Sequence, residues 1–185
     1  MEEVIRRAQR GDPDALGHLW RSYQHLLLRY FRGKGMHDPE DLASVVWIEV
    51  ASGLSRFEGG EPEFRRWLFT IAARRRIDDI RSSKRRSDRL ERSTIEAPPD
   101  TAPSAGDEAE RAAALDRAVS MVRSLPPDQA EAVLLRVVAD LSVTEVAEIM
   151  HRTEGSVRVL VHRGLKRLAD RTPVTNSDPE TMSAL

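Results

Sequence analysis

Nine basic side chains crowd into residues 65–86: Arg65, Arg66, Arg74, Arg75, Arg76, Arg81, Lys84, Arg85 and Arg86. Only Asp78 and Asp79 stand against them in sequence, a local balance of +7 in a chain whose formal net charge is −1. Positive charge gathered in this way marks a surface for a polyanion. Aromatic residues flank the cluster and no acids alternate with it, which favours nucleic acid over a merely solvated helix. Catalysis has no comparable basis. The candidate metal-binding carboxylates, Asp38/Glu40/Asp41 and Asp78/Asp79, have better uses as helix-cap residues and as partners of nearby arginines. There is no Gly-rich phosphate loop, HExxH or nucleophile motif. His18, His25, His151 and His162 are isolated, and the chain has no cysteine, so neither a disulfide frame nor a Cys-based zinc site is expected. No catalytic residue, metal or cofactor is predicted.

The basic residues need a helix to carry them. Pro62 suits a first turn, and Phe64, Trp67, Leu68 and Ile71 follow the i, i+3, i+4, i+7 spacing of a buried stripe. The helix is thus anchored in a core at its start and basic at its end. Ahead of it, Val4 to Arg10 predict a short helix stopped by Gly11. Asp12-Pro13 then starts a long one, with Leu16, Leu19, Trp20, Tyr23, Leu26, Leu27, Tyr30 and Phe31 inward and Gly33 and Gly35 ending it. Asp38-Pro39-Glu40-Asp41 starts a third helix, with Asp38 as its cap. Leu42, Val45, Val46, Ile48, Val50 and Leu54 make that helix apolar around more of its circumference than one core requires. It is expected either to be buried on two sides, once by a partner, or to be the centre of a bundle. A Gly-Gly loop, Ser55 to Glu63, leads into the basic helix.

Glu96 to Glu110 is acidic, holds Pro98, Pro99 and Pro103 and has no basic residue, the composition of a linker. Beyond it, Leu115, Val119 and Val122 mark one helix. Asp128 to Ala139 marks another, with Ala130, Val133, Leu134, Val137 and Val138 inward. Ser142-Val143-Thr144-Glu145 is a capping box opening a short helix, and Thr153 caps a last one running to about Asp170. On that last helix Val157, Val161, Gly164 and Leu168 share one face, while Arg158, Val159, His162, Arg163 and Lys166 share the other. A tight turn followed by an amphipathic basic helix reads as a helix-turn-helix. Gly155 and Ser156 at its start are small enough for close approach to DNA.

With few β-branched runs and 5% aromatic residues, the chain is predicted to be all-α. Two small helical domains, 1–86 and 111–170, are joined by a flexible acidic linker at 87–110 and followed by a disordered tail at 171–185. No apolar run approaches the ~18 residues of a membrane span, and the start, MEEVIRR, lacks a secretory h-region. An intracellular, cytoplasmic protein with no membrane insertion is expected.

Three stretches, DPEDL at 38–42, FRRWLFTIAARRRIDDIR at 64–81 and LPPDQAEAVLLRVVADLSVTEVAEIMHRTEGSVRVLVHRGLKRL at 125–168, together resemble bacterial RNA polymerase sigma factors of the extracytoplasmic-function group. The resemblance covers about residues 1–170. It implies a sigma factor that binds core RNA polymerase, recognises −10 and −35 promoter elements and directs transcription initiation. It places Asp41, Leu42, Ser44, Val45, Ile48 and Glu49 on the clamp helices of the polymerase largest subunit, with the flap as a further polymerase contact. Phe57, Glu58, Gly59, Trp67, Arg74, Arg75, Arg81, Lys84 and Arg85 would serve the −10 element, the loop holding a flipped base. Thr153, Gly155, Ser156, Arg158, Val159, His162, Arg163 and Lys166 would serve the −35 element. The linker acids would lie in a basic channel of the polymerase as a nucleic-acid mimic, and an anti-sigma factor is a further partner that the resemblance allows. The chain departs from the pattern at Ser44-Val45, where a polar or acidic pair is common. It departs again at Val159-Leu160, where Ser-Arg is common, which leaves Arg158, His162 and Arg163 as the first candidates for −35 contact. The alternative is a stand-alone helix-turn-helix regulator, a reading that leaves the aromatic-basic helix without a role.

Overall fold

The computed structural model describes residues 1–87, 114 and 116–171. The expected linker lies outside the described residues except for Ser87, as does the tail except for Arg171. Among the described residues every regular element is helical, and no helix is long and apolar enough to cross a membrane.

Four helices build the N-terminal unit: α1 (Glu2–Gln9), α2 (Pro13–Gly33), α3 (Pro39–Gly53) and α4 (Glu61–Ser87). Asp12 caps α2 by accepting from the backbone N–H of Asp14 at 2.9 Å and Ala15 at 3.2 Å, so two of the orphan donors of the first turn are satisfied. Leu19, Tyr23, Leu27, Tyr30 and Phe31 then run down the buried side of α2. Trp20 does not belong to that stripe: it sits about 100° beyond Leu19 and is 48% exposed. Asp38 precedes α3 but makes no side-chain cap. Its φ of −122° and ψ of 75° differ from the extended geometry with which Asp12, Ser142 and Thr153 cap their helices. At the start of α4 the Gly60 N–H donates to Glu63 Oε2 at 2.9 Å. Phe64, Leu68, Phe69, Ile71 and Ala72 bury the first three turns of that helix.

The C-terminal unit has α5 (residues 116–122), α6 (Pro127–Val133), α7 (Val143–Met150) and α8 (Glu154–Ala169). Where the sequence predicts one continuous α-helix to Ala139, α6 widens into a π-helical turn, Leu134–Val138, closed by Ala139 N–H to Leu134 O at 3.0 Å. The extra residue in the turn shifts the register. Leu134 and Leu135 are fully buried, while Val137, expected inward, is 57% exposed. The capping box forms as predicted: Glu145 N–H donates to Ser142 Oγ at 3.2 Å and Ser142 N–H to Glu145 Oε2 at 2.7 Å. Gly164 lets α8 approach α6, since a Cβ there would stand 2.7 Å from Val133 Cγ2.

The two units share one continuous core. Gly33 at the end of α2 is a point of close approach, because a Cβ there would meet Leu134 Cδ2 at 2.7 Å and Val119 Cγ1 at 3.2 Å. Beside it, Glu131 of α6 reaches into the N-terminal unit. Its Oε1 accepts from the Tyr30 hydroxyl at 2.5 Å, and its Oε2 takes Lys34 Nζ at 3.0 Å and Arg76 Nη2 at 3.1 Å. Burial pushes the Tyr30 hydroxyl well above the ordinary tyrosine range and pulls Lys34 below that of a free lysine, with Glu131 opposing the second shift.

Candidate nucleic-acid interface

The loop between α3 and α4 is tied at both ends. Phe57 N–H donates to Leu54 O at 3.1 Å, and Gln9 of α1 donates its side-chain amide to Phe57 O at 2.6 Å. The Phe57 ring therefore lies flat on Trp67, with centroids 5.2 Å apart and planes 23° from parallel, while Phe64 meets both rings edge-on from the core. Gly53 permits this packing, since a Cβ there would stand 2.9 Å from the Trp67 ring. In front of the stack opens a cleft of about 550 Å³, bordered by Glu49, Arg56, Glu58, Glu63 and Arg66 as well as the two rings. An aromatic platform ringed by cations and acceptors suits an unpaired base better than a duplex. Arg56 and Arg66 were missed in the sequence. Their adjacency to Phe57 and Trp67 was the signal that could have found them.

Sequence reading sets only Asp78 and Asp79 against the basic stretch, and the structure adds further opposing charges. All five arginines from 65 to 76 are paired, with acids remote in sequence as well as near. Arg65 meets Glu61 and Asp140, Arg66 meets Glu148, and Arg76 meets Glu131. Arg74 and Arg75 both reach Glu49. The opposing charges were invisible because contacts between elements, not between neighbours in sequence, create them. Arg81, Lys84 and Arg85 lie on α4, with side chains outside the described ones.

Of the two arrangements expected for α3, the structure shows a helix with one buried and one exposed face. Ala43, Val46, Trp47 and Val50 are buried, whereas Asp41, Ser44, Val45 and Ile48 are exposed, Ile48 by 68%. Leu42 and Glu49 are intermediate. Trp47 is fixed by donating Nε1–H to Gln24 at 2.7 Å.

On α8 the Thr153 hydroxyl accepts from Ser156 N–H at 3.2 Å, which caps the helix. Val157 and Gly164 are buried, while Arg158, Val159, His162, Arg163 and Lys166 are exposed on the outward side. Gly155 is exposed too, and a Cβ added there would meet nothing within 4 Å. Arg158 is not free: it donates to Glu154 at 2.7 Å, and Glu154 also accepts from Thr144 at 2.8 Å. Those two bonds, Thr144 first, hold the Glu154 carboxyl below the usual carboxylate range. A shallow cleft between α7 and α8, bordered by Glu148, His151, Arg152 and Ser156 among others, adds Arg152 to the candidates for phosphate contact. No group of three or more potential metal-ligating side chains exists among the described residues.

Two family models match the chain: sigma-70 region 2 over residues 19–86 and sigma-70 region 4 over residues 115–168. The ECF RNA polymerase sigma factor BldN of Streptomyces coelicolor is 33% identical over 180 residues, which is 94% of this chain and 66% of BldN. ShbA of Streptomyces griseus, another ECF RNA polymerase sigma factor, is 30% identical over 89% of this chain and 91% of its own length. Among solved structures, CnrH in complex with the cytosolic domain of CnrY superimposes with a TM-score of 0.58 at 21% identity, covering 90% of this chain and 93% of CnrH, a likeness of fold. The chain therefore belongs to the extracytoplasmic-function RNA polymerase sigma factors, the promoter-recognising partners of RNA polymerase in transcription initiation.

Proposed function

We propose that this chain docks on core RNA polymerase through the exposed face of α3, opens the −10 element with the Phe57–Trp67 cleft and α4, and reads the −35 element with α8. One observation carries the reading most directly: solvent-facing Val45 and Ile48 stand on the same helix that closes the aromatic cleft. An apolar face needs a partner, and the clamp helices of the polymerase largest subunit are the partner that the family provides, with the flap taken by the C-terminal unit. Asp41, Leu42 and Ser44 complete that contact, while Glu49, which the resemblance also assigns to it, turns its carboxylate to Arg74 and Arg75 of α4. Phe57, Glu58, Gly59 and Trp67 hold the flipped base, and Arg74, Arg75, Arg81, Lys84 and Arg85 follow the strand. On α8, Thr153, Gly155 and Ser156 meet phosphates at the helix start, and Arg158, Val159, His162, Arg163 and Lys166 face the groove. An anti-sigma factor is the proposed regulator, and the cytoplasm, where the polymerase works, is the proposed compartment.

Each DNA-facing patch is small and the chain as a whole stands at −1, so phosphate contacts alone give weak, salt-sensitive affinity. Promoters selected from a random library by the reconstituted holoenzyme provide the test. Free protein is expected to bind such duplexes weakly at physiological salt, and transcription to start only with core enzyme present. Nanomolar binding by the free protein, with no gain from core, would instead establish a stand-alone regulator.

A further inference from the structure

We propose that Glu49 is a positioning residue for the melted −10 strand, holding Arg74 and Arg75 side by side at the rim of the aromatic cleft. The inference rests on the reading of the α3–α4 cleft as the −10 site and adds a role that the reading does not contain. Glu49 lies one turn beyond Val45 on α3, yet its side chain is only 23% exposed and its carboxylate turns to α4. Oε1 pairs with Arg74 Nη2. Oε2 accepts from Arg75 through both Nε, at 2.7 Å, and Nη2, at 2.6 Å. The same residue borders the cleft that Trp67 lines.

The geometry places the pair where a strand would pass. Arg74 follows Trp67 by seven residues, which on an α-helix is a turn of nearly 360° twice over and a rise of about 10 Å. Ring and guanidinium therefore share one side of α4. Two adjacent guanidinium groups repel each other and, as long side chains, are costly to immobilise. One shared carboxylate removes both difficulties. It lowers the local charge from two positive to one and fixes both groups before DNA arrives. Arg75 engages Nε and Nη2 with Glu49, which leaves Nη1 free to donate to a phosphate oxygen. The ligand is the backbone phosphate next to the base in the cleft, gripped at one position instead of anywhere along the strand.

The test uses holoenzyme carrying Glu49→Gln, Glu49→Asp or the double change Arg74→Ala/Arg75→Ala. The DNA is a promoter selected with the unmodified holoenzyme, together with the same promoter bearing a scrambled −10 element. Core affinity is measured by competition, and promoter binding is followed across a salt series. In Glu49→Gln, discrimination between the two promoters is expected to fall about tenfold once each variant's own core affinity is divided out. Its log–log salt slope should steepen by about 0.7, the value of one added phosphate contact on a single strand. Glu49→Asp, which keeps the charge, should recover most of the discrimination. A loss of core affinity in Glu49→Gln with an unchanged salt slope would overturn the proposal and make Glu49 a polymerase contact. Unchanged discrimination and slope in Glu49→Gln would overturn it as well, provided the double arginine variant is impaired. If the double arginine variant is itself unimpaired, the assignment of α4 to the −10 strand fails along with it.

Discussion

At the scale of single residues, the structure separates side chains that are ready to meet DNA from side chains that are already engaged. The side chains of Arg163, His162 and Lys166 make no hydrogen bond or ion pair with any other described residue, whereas that of Arg158 is held by Glu154. Arg163 lies closer than Lys166 to the start of α8, the part of a recognition helix that enters the major groove. Arg163→Ala is accordingly expected to lower holoenzyme affinity for the selected promoter by about 1–3 kcal/mol and to relax preference at one −35 base pair. Lys166→Ala should weaken all sequences alike and flatten the salt slope by about one. Binding-site selection with each variant checks the distinction, and equal, sequence-independent losses would make Arg163 a backbone contact. Arg158→Ala should matter less than Arg163→Ala, because Arg158 must first leave Glu154. That order was missed in the sequence, where Arg158 and Arg163 look equivalent on the same face. The i,i+4 spacing of Glu154 and Arg158 was the signal that could have shown it, and the hydrogen bond from Thr144, ten residues away and on another helix, holds Glu154 further in place.

At the scale of elements, α8 does its work through packing against α6 as much as through charge. Gly164 lies against Val133 with no room for a methyl group. Gly164→Ala gains about 1 kcal/mol of helix propensity, but overpacking a close helix contact costs ~1–3 kcal/mol. The expected outcome is a lower Tm for the C-terminal unit and weaker −35 binding, with no DNA-facing side chain changed. Adding Val133→Ala should restore part of both, and a double-mutant cycle with no coupling between the two would place the defect elsewhere. Helix starts were the most legible feature of this chain, since Asp12, Ser142 and Thr153 cap as the local sequence demands. The surplus of apolar residues on α3 was legible too, although the pattern alone fitted a central bundle helix as well as one with an exposed apolar face. The π-helical turn at Leu134–Val138 was not legible, because nothing in LLRVV distinguishes it from an α-helix that would bury Val137. The aromatic cleft was legible in its residues but not in its geometry, as the flat Phe57–Trp67 stack depends on the bond from Gln9 and on the absence of a side chain at Gly53.

At the scale of the whole molecule, the two units are clasped by charges of opposite sign. Arg29, Lys34, Arg65, Arg66 and Arg76 of the N-terminal unit face Asp116, Glu131, Asp140 and Glu148 of the C-terminal one. This arrangement brings the cleft residue Arg66 within 2.8 Å of Glu148, which borders the α7–α8 cleft. Elements centred near −10 and −35 are about 25 base pairs apart, roughly 85 Å at about 3.4 Å per base pair. A folded body of this length has a radius of gyration of about 15 Å, so on the proposed assignment of the two units promoter binding requires them to part. The contact is well suited to parting: Arg65 Nε and Arg76 Nε are buried within it without a hydrogen-bond partner, and each such group costs about 1–3 kcal/mol. Glu131 is the centre of the clasp, because its removal leaves Lys34 and Arg76 buried with no countercharge, a change that typically costs ~3–5 kcal/mol. Glu131→Gln is therefore expected to separate the units without unfolding either, since every partner of the carboxylate belongs to the N-terminal unit. The absence of native cysteine allows Asp14→Cys and Ala169→Cys, both at exposed positions, to carry a donor and an acceptor dye. Energy transfer between them should fall in Glu131→Gln to the level that the otherwise unchanged protein reaches only when core polymerase is added, while the helical signal and its melting remain. Transfer that stays high in Glu131→Gln would show that the clasp is held by the shared apolar core around Gly33 and Leu134 and that Glu131 has no part in keeping it closed, whereas transfer that core polymerase leaves unchanged in the parent would show that the units do not part on binding.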